Sequence, residues 1–190
     1  MVFFDLETQY LAAEVGGWGN KELMRLGVGA TYTEQDQYQV WWESQAADLL
    51  EKLDEADLIV GFNTRAFDFA VLSFYGSVRG FEDKNFDILA EVRRQGKGTL
   101  SLNHLAFINL AETKSVESGA VAVELFRTGK LDELSAYCQR DVELTKRLFE
   151  KWEAEGLLWT DAARTRFVTW PGYYHLLDHK LALKKKRKRR

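Results

Sequence analysis

The sequence predicts an α/β fold around a central sheet, and three observations carry that expectation. A short apolar strand at residues 2–7 opens the chain. A compact apolar run, Leu58 to Phe62, follows a helical segment, which favours a parallel strand. A long helical periodicity then extends from about Leu131 to Glu155. Hydrophobic residues make up 46% and aromatic residues 13% of the 190 positions, enough for a packed interior rather than a disordered chain.

The elements follow in order. After the first strand, Gly16, Gly17 and Gly19 interrupt regular structure. Met24 to Thr33 reads as a strand and Tyr38 to Glu43 as its hairpin partner, joined by the polar turn Glu34 to Gln37. Adjacent Trp41 and Trp42 face opposite ways on that strand, which predicts one ring in the core and the other outside. Ser44 is the expected N-cap of a helix through about Ala56, with Ala47, Leu50, Leu53 and Ala56 on its apolar face. Phe67 to Tyr75, Phe86 to Arg94, Ser101 to Leu110 and Ala120 to Thr128 read as further helices. On the long helix, Leu134, Tyr137, Cys138, Asp141, Val142, Thr145 and Leu148 share one broad face. Leu157 to Thr160 and Arg166 to Trp170 are expected to close as a hairpin. The expected organisation is one domain over residues 1–155, a hairpin or helical extension over 156–183, and a basic tail over 184–190.

Charge is distributed unevenly. The net charge is −3, yet Lys184 to Arg190 is an unbroken run of seven cations, so the rest of the chain carries −10. An acidic body with a cationic tail suits a polyanionic partner or a cation-binding site, and the tail is a candidate phosphate contact. The plainer alternative is a solvated tail that aids solubility. Cys138 is the only cysteine, which excludes an intrachain disulfide and a cysteine-rich zinc site. His175 and His179 have helical metal spacing but no third ligand in the sequence. No span approaches the ~20 apolar residues of a membrane helix, and Met1 leads directly into the first strand without a basic leader, so a cytoplasmic location is expected.

Three acidic motifs stand out. Asp5 and Glu7 lie two apart on the first strand and project to one face, where a divalent cation would relieve their repulsion; two ordinary acids on an exposed strand end are the alternative. Asp68, in Gly61-Phe62-Asn63-Thr64-Arg65-Ala66-Phe67-Asp68, follows the carboxyl end of an interior strand, where open α/β sheets place ligands. It would also be favourable as a plain first-turn helix acid. Asp141 sits four residues after Tyr137 on the otherwise apolar face of the long helix, which calls for a partner, either a cation or a salt bridge with a basic residue such as Arg140.

In order and spacing these motifs resemble the three exonuclease motifs of the DEDD superfamily, found in polymerase proofreading domains and related ribonucleases. Asp5-x-Glu7 is similar to the first motif and Asn63-x-x-x-Phe67-Asp68 to the second. Tyr137-x-x-x-Asp141 is similar to the tyrosine form of the third, found in family-B polymerase proofreading domains; Ala136 stands where the histidine form does not fit. The likeness covers about Val2 to Phe149, without a polymerase module, as in stand-alone bacterial exonuclease domains.

The resemblance implies a ribonuclease H-like fold, a mixed sheet between helical layers, and 3′→5′ hydrolysis of DNA or RNA by two divalent cations, Mg²⁺ or Mn²⁺, about 3.5–4 Å apart. It implies that Asp5, Glu7, Asp68 and Asp141 ligate the ions and that Tyr137 orients the attacking water. Its hydroxyl, with an ordinary pKa of about 10, suits positioning better than proton abstraction. Leu6, Thr8, Asn63 and Phe67 are the implied substrate contacts, with a single-stranded 3′ end as the expected partner. Thr8 is expected to donate to the sugar or phosphate, and Asn63 to brace the site. A catalytically inactive nucleic-acid-binding module of the same fold, and an endonuclease or small-nucleotide hydrolase, are the competing readings.

Overall fold

The computed structural model describes residues 1–112, 119–173 and 176. A five-stranded mixed sheet is formed by β1 (Val2–Thr8), β2 (Leu26–Thr33), β3 (Gln37–Trp42), β4 (Ile59–Gly61) and β5 (Asn85–Asp87), in the order β3-β2-β1-β4-β5. The hairpin partners β1/β2 and β2/β3 are antiparallel, whereas β1/β4 and β4/β5 are parallel. Helix α1 (Ala46–Glu55) joins β3 to β4, and α2 (Asp68–Leu72) follows β4. Beyond β5 come α3 (Ile88–Arg94), α4 (Leu102–Leu110), α5 (Gly119–Arg127) and the 25-residue α6 (Leu131–Glu155). A second, two-stranded antiparallel sheet pairs β6 (Leu157–Trp159) with β7 (Phe167–Thr169).

Alternation along β1 divides the interior into two cores. Val2, Phe4 and Leu6 join α1 and α2 through Leu49, Leu53, Phe69 and Leu72. Phe3 faces the other way and joins α3 to α6 through Val92, Leu105, Cys138, Val142 and Phe149. The sheet therefore lies between two helical layers, with α6 crossing β1 and β2. Leu158 of β6 and Val168 of β7 belong to the α6 core, so the segment after residue 155 packs on the body. Trp170 reinforces it by packing against Phe86, Phe149 and Trp152 at ring separations of 5.2–5.6 Å. Helix α6 ends at Gly156, whose φ of 75° places it in the left-handed region while its N–H donates to the Trp152 carbonyl.

Three expectations change. Residues 85–87 form a strand, not the start of a helix, and Asp87 caps the helix that follows. Ser44 lies within a 3-10 turn, and α1 begins at Ala46 without a side-chain cap, so its buried face is Ala46, Leu49 and Leu53. Trp41 and Trp42 are both half-buried, one against each core, because helices cover both sheet faces. The basic tail and the His175/His179 pair lie outside the described residues.

Gly61 ends β4 where the chain turns toward Asp68. A Cβ there would stand 2.2 Å from Thr64 Cγ2 and 3.0 Å from the Phe4 carbonyl oxygen, and Thr64 is fully buried. Gly61→Ala is expected to destabilise the fold by about 1–3 kcal/mol through overpacking, measured as a lowered thermal midpoint; an unchanged midpoint would contradict this packing.

Candidate active site

Strand pairing sets the direction of the first two acids. Asp5 lies opposite Ala30 and Glu7 opposite Val28, and both partners belong to the α6-side core. Residues directly opposite in an antiparallel pair share a face, so Asp5 and Glu7 point toward α6. There Asp141, buried on the helix, meets them: Asp5, Glu7 and Asp141 each offer a carboxylate oxygen, all within 4.8 Å of one another. Residues 134 positions apart thus meet because one strand and one long helix cross.

Cys138, one turn before Asp141, fills the crossing. Its thiol sits 3.5 Å from the Asp5 carbonyl oxygen and 3.8 Å from Asp5 Oδ2. Burial pushes the thiol pKa well up, and the charges of Asp5, Glu7, Asp141 and Asp68 push it further. It is therefore a neutral packing group and not a nucleophile. All four acids push this one thiol in the same direction.

Asp68 stands outside the tight trio at the start of α2, only 2% exposed, and its Oδ1 has no hydrogen-bond partner. Burial is the main force raising its pKa to about 8; the charges of Asp87 and Asp141 add to it, and the backbone of Asp68 and Leu6 partly offsets it. Asp87 is the residue that sequence reasoning missed. At 3% exposure, its Oδ1 accepts from Asn63 N–H at 2.9 Å and Ala90 N–H at 3.1 Å, and its Oδ2 accepts from Arg65 N–H at 3.1 Å. It ties the turn after β4 to the start of α3, and so shapes the approach to Asp68. An aspartate directly before an apolar helical run was the signal that could have found it.

Tyr137 is half-buried at the edge of the α6 core, one turn from Asp141. Asn63 takes a φ of 66°, and its carbonyl accepts from Ala66 and Phe67 N–H, so it forms the turn that leads to Asp68. Phe67 is half-buried, with its ring 6.3 Å from that of Trp18. The fold also places Leu6 and Thr8, two more of the expected substrate contacts. The Leu6 side chain is in the α1/α2 core at 3% exposure, so only its backbone borders the acids. The buried Thr8 hydroxyl already donates to the Tyr10 carbonyl at 3.0 Å, so its proton is committed within the fold.

The donor set fits hard divalent cations: it is all carboxylate oxygen, it is crowded, and it contains a buried Asp68 oxygen without a partner. A cavity of about 640 Å³, at the opposite end of β1 beside Val2, Tyr32 and Lys146, is remote from these acids. No helix among the described residues is long and apolar enough to cross a membrane.

The chain belongs to the RNase_H superfamily, whose family model matches residues 2–153. Among solved structures it is similar to the family B DNA polymerase from the hyperthermophilic archaeon Pyrobaculum calidifontis, with a TM-score of 0.62 and 20% identity. That match covers 80% of this chain and 24% of the polymerase, so this chain spans about a quarter of that protein's length. No curated protein matches the sequence.

Asp68 has a testable consequence in protein stripped of divalent ions. Because its folded pKa of about 8 exceeds the ordinary value of 3.8, the folded state holds the extra proton between those limits. Its contribution to stability is full below about pH 4 and is lost as pH rises through about 8. Asp68→Asn should therefore raise the thermal midpoint at pH 8 more than at pH 4; an equal effect at both would contradict the raised pKa.

Proposed function

We propose that this chain is a metal-dependent exonuclease that removes nucleotides from the 3′ end of a single strand. The observation that carries the reading is the convergence of Asp5, Glu7 and Asp141 within 4.8 Å, with Asp68 nearby in the electrostatic field of Asp141. Membership of the RNase_H superfamily and the fold shared with a family B DNA polymerase support a nuclease. The order of the acidic motifs, with a tyrosine one turn before the last aspartate, supports the 3′→5′ polarity.

In this reading the four carboxylates would hold two divalent cations, Mg²⁺ or Mn²⁺. When bound, these ions lower the pKa of water and stabilise charge on the attacking and leaving oxygens. The Tyr137 hydroxyl orients the attacking water toward the terminal phosphorus. Attack breaks the bond from phosphorus to the 3′ oxygen of the preceding nucleotide and releases a nucleoside 5′-monophosphate. The neutral Cys138 thiol and the buried flank of α6 keep Asp5 and Asp141 in place without adding a competing charge. Asn63, held by Asp87, sets the turn that presents Phe67 beside the terminal nucleotide. The basic run at 184–190 supplies a further, sequence-independent contact to phosphates.

The test is a panel of 5′-labelled DNA and RNA oligonucleotides, single- and double-stranded, with Mg²⁺ or Mn²⁺. Stepwise shortening from the 3′ end is expected. Asp5→Ala should abolish it, and Tyr137→Phe should slow it by about 10- to 100-fold. Shortening that persists in Asp5→Ala would refute the assignment. Binding without turnover under both metals would identify a non-catalytic module, and cleavage of circular substrates an endonuclease.

A further inference from the structure

An aromatic pair lies at the turn that leads into Asp68. After Thr8, at the end of β1, the chain forms two short 3-10 turns, Ala12–Val15 and Lys21–Met24, before entering β2. Trp18 lies between them and is 66% exposed, the most exposed large hydrophobic side chain among the described residues. Its indole meets Phe67 edge-on, with ring centroids 6.3 Å apart and planes at 61°. Phe67 immediately precedes Asp68 in the chain and packs against the α1/α2 core, so the aromatic pair sits at the turn that leads into Asp68.

The segment carrying Trp18 is braced. At its ends, Gln9 and Tyr10 N–H donate to the Met24 carbonyl at 3.2 and 3.1 Å, and Arg25 pairs with Glu43 at 2.7 Å. Within it, Gly17 N–H donates to the Ala12 carbonyl at 2.7 Å, and Asn20 Nδ2 to the Val15 carbonyl at 2.8 Å. Arg127 of α5 grips Glu14 with one guanidinium nitrogen at 2.5 and 2.6 Å from its two carboxylate oxygens. Gly16 and Gly17, with φ of 86° and 112°, supply the left-handed backbone this turn requires. An indole exposed on a pre-shaped support is ready to stack without first ordering a loop.

A cation precedes Phe67 in the same turn. Arg65 is exposed in the turn two residues before Phe67, and among the described residues its guanidinium forms no ion pair. An exposed aromatic face and an exposed arginine, both at the turn before Asp68, match an unpaired nucleobase and its flanking phosphate.

We propose that Trp18, with Phe67, is a stacking platform for an unpaired base at the 3′ end, and that Arg65 holds the adjoining phosphate, which makes single-stranded ends the favoured substrate. The proposal rests on the exonuclease reading and extends it to a residue outside the acidic motifs. Base stacking is sequence-tolerant, because every base presents a π face, so the platform predicts little discrimination among the four bases.

The test compares wild type, Trp18→Ala and Trp18→Phe on a single-stranded oligonucleotide, on the same oligonucleotide with an abasic 3′ nucleotide, and on bis(p-nitrophenyl) phosphate, which lacks a base. Trp18→Ala should raise KM for the intact oligonucleotide about tenfold with little change in kcat, and Trp18→Phe should recover most of the loss. Both variants should match wild type on the abasic and nitrophenyl substrates. An unchanged KM, or a loss that persists in full on the abasic end, would overturn the proposal. If wild type hydrolyses none of the substrates, the exonuclease reading falls, and anisotropy of a labelled single-stranded oligonucleotide then decides the platform. About tenfold weaker binding by Trp18→Ala upholds it, and equal binding overturns it.

Discussion

Gathering like charges at the meeting of a strand and a helix is the constraint around which this chain is built. Carboxylates crowded within 4.8 Å repel one another, and burial withdraws the water that would screen them. Such an arrangement persists only where the surrounding packing overrides the repulsion, or where bound cations remove it. The packing route is visible, and one buried group suits the cation route. Phe3 and Phe149, packed edge to face at 5.6 Å, help to lock β1 against α6. The buried Asp68 oxygen without a hydrogen-bond partner is the kind of group a hard cation completes.

The packing also explains why each acid faces as it does. Period-two alternation on β1 sends Leu6 into one core while Asp5 and Glu7 face the other helical layer. On α6, Leu134, Cys138, Val142 and Leu148 form the apolar stripe that seats the helix, and Asp141 rides the same stripe to the sheet. Asp68 arrives by a third route, through a turn pinned to Asp87 and a close approach at Gly61 that leaves no room for a side chain. A site drawn from three separated stretches of chain is thus a consequence of how one strand, one long helix and one turn pack.

Much of this was legible in the sequence, for identifiable reasons. The hairpin β2/β3, the parallel β4 and the limits of α6 follow from periodicity and turn residues, signals that persist over many positions. Strand β5 was not legible. It is three residues long and runs straight into α3, so the helical pattern of Ile88 to Arg94 absorbed it, together with the capping role of Asp87. Ser44 had the chemistry of a cap, but a 3-10 turn places the start of α1 two residues later and rotates its buried face. For Thr8 the type of residue was readable but its hydrogen-bond partner was not, since the Tyr10 carbonyl comes into reach through a bend after the bulge at Glu7 and Thr8. Trp18 shows the same limit: its exposure and its support against Phe67 separate it from the core tryptophans, and neither is written in the sequence.

The central claim is that the fold assembles these carboxylates into a cradle for cations, and calorimetric titration with Mn²⁺ at neutral pH tests it most directly. Saturable uptake of two ions per chain is expected for the wild type, with loss of uptake when Asp5 and Asp141 are both changed to asparagine. No uptake by the wild type, or the same uptake by that double variant, would contradict it.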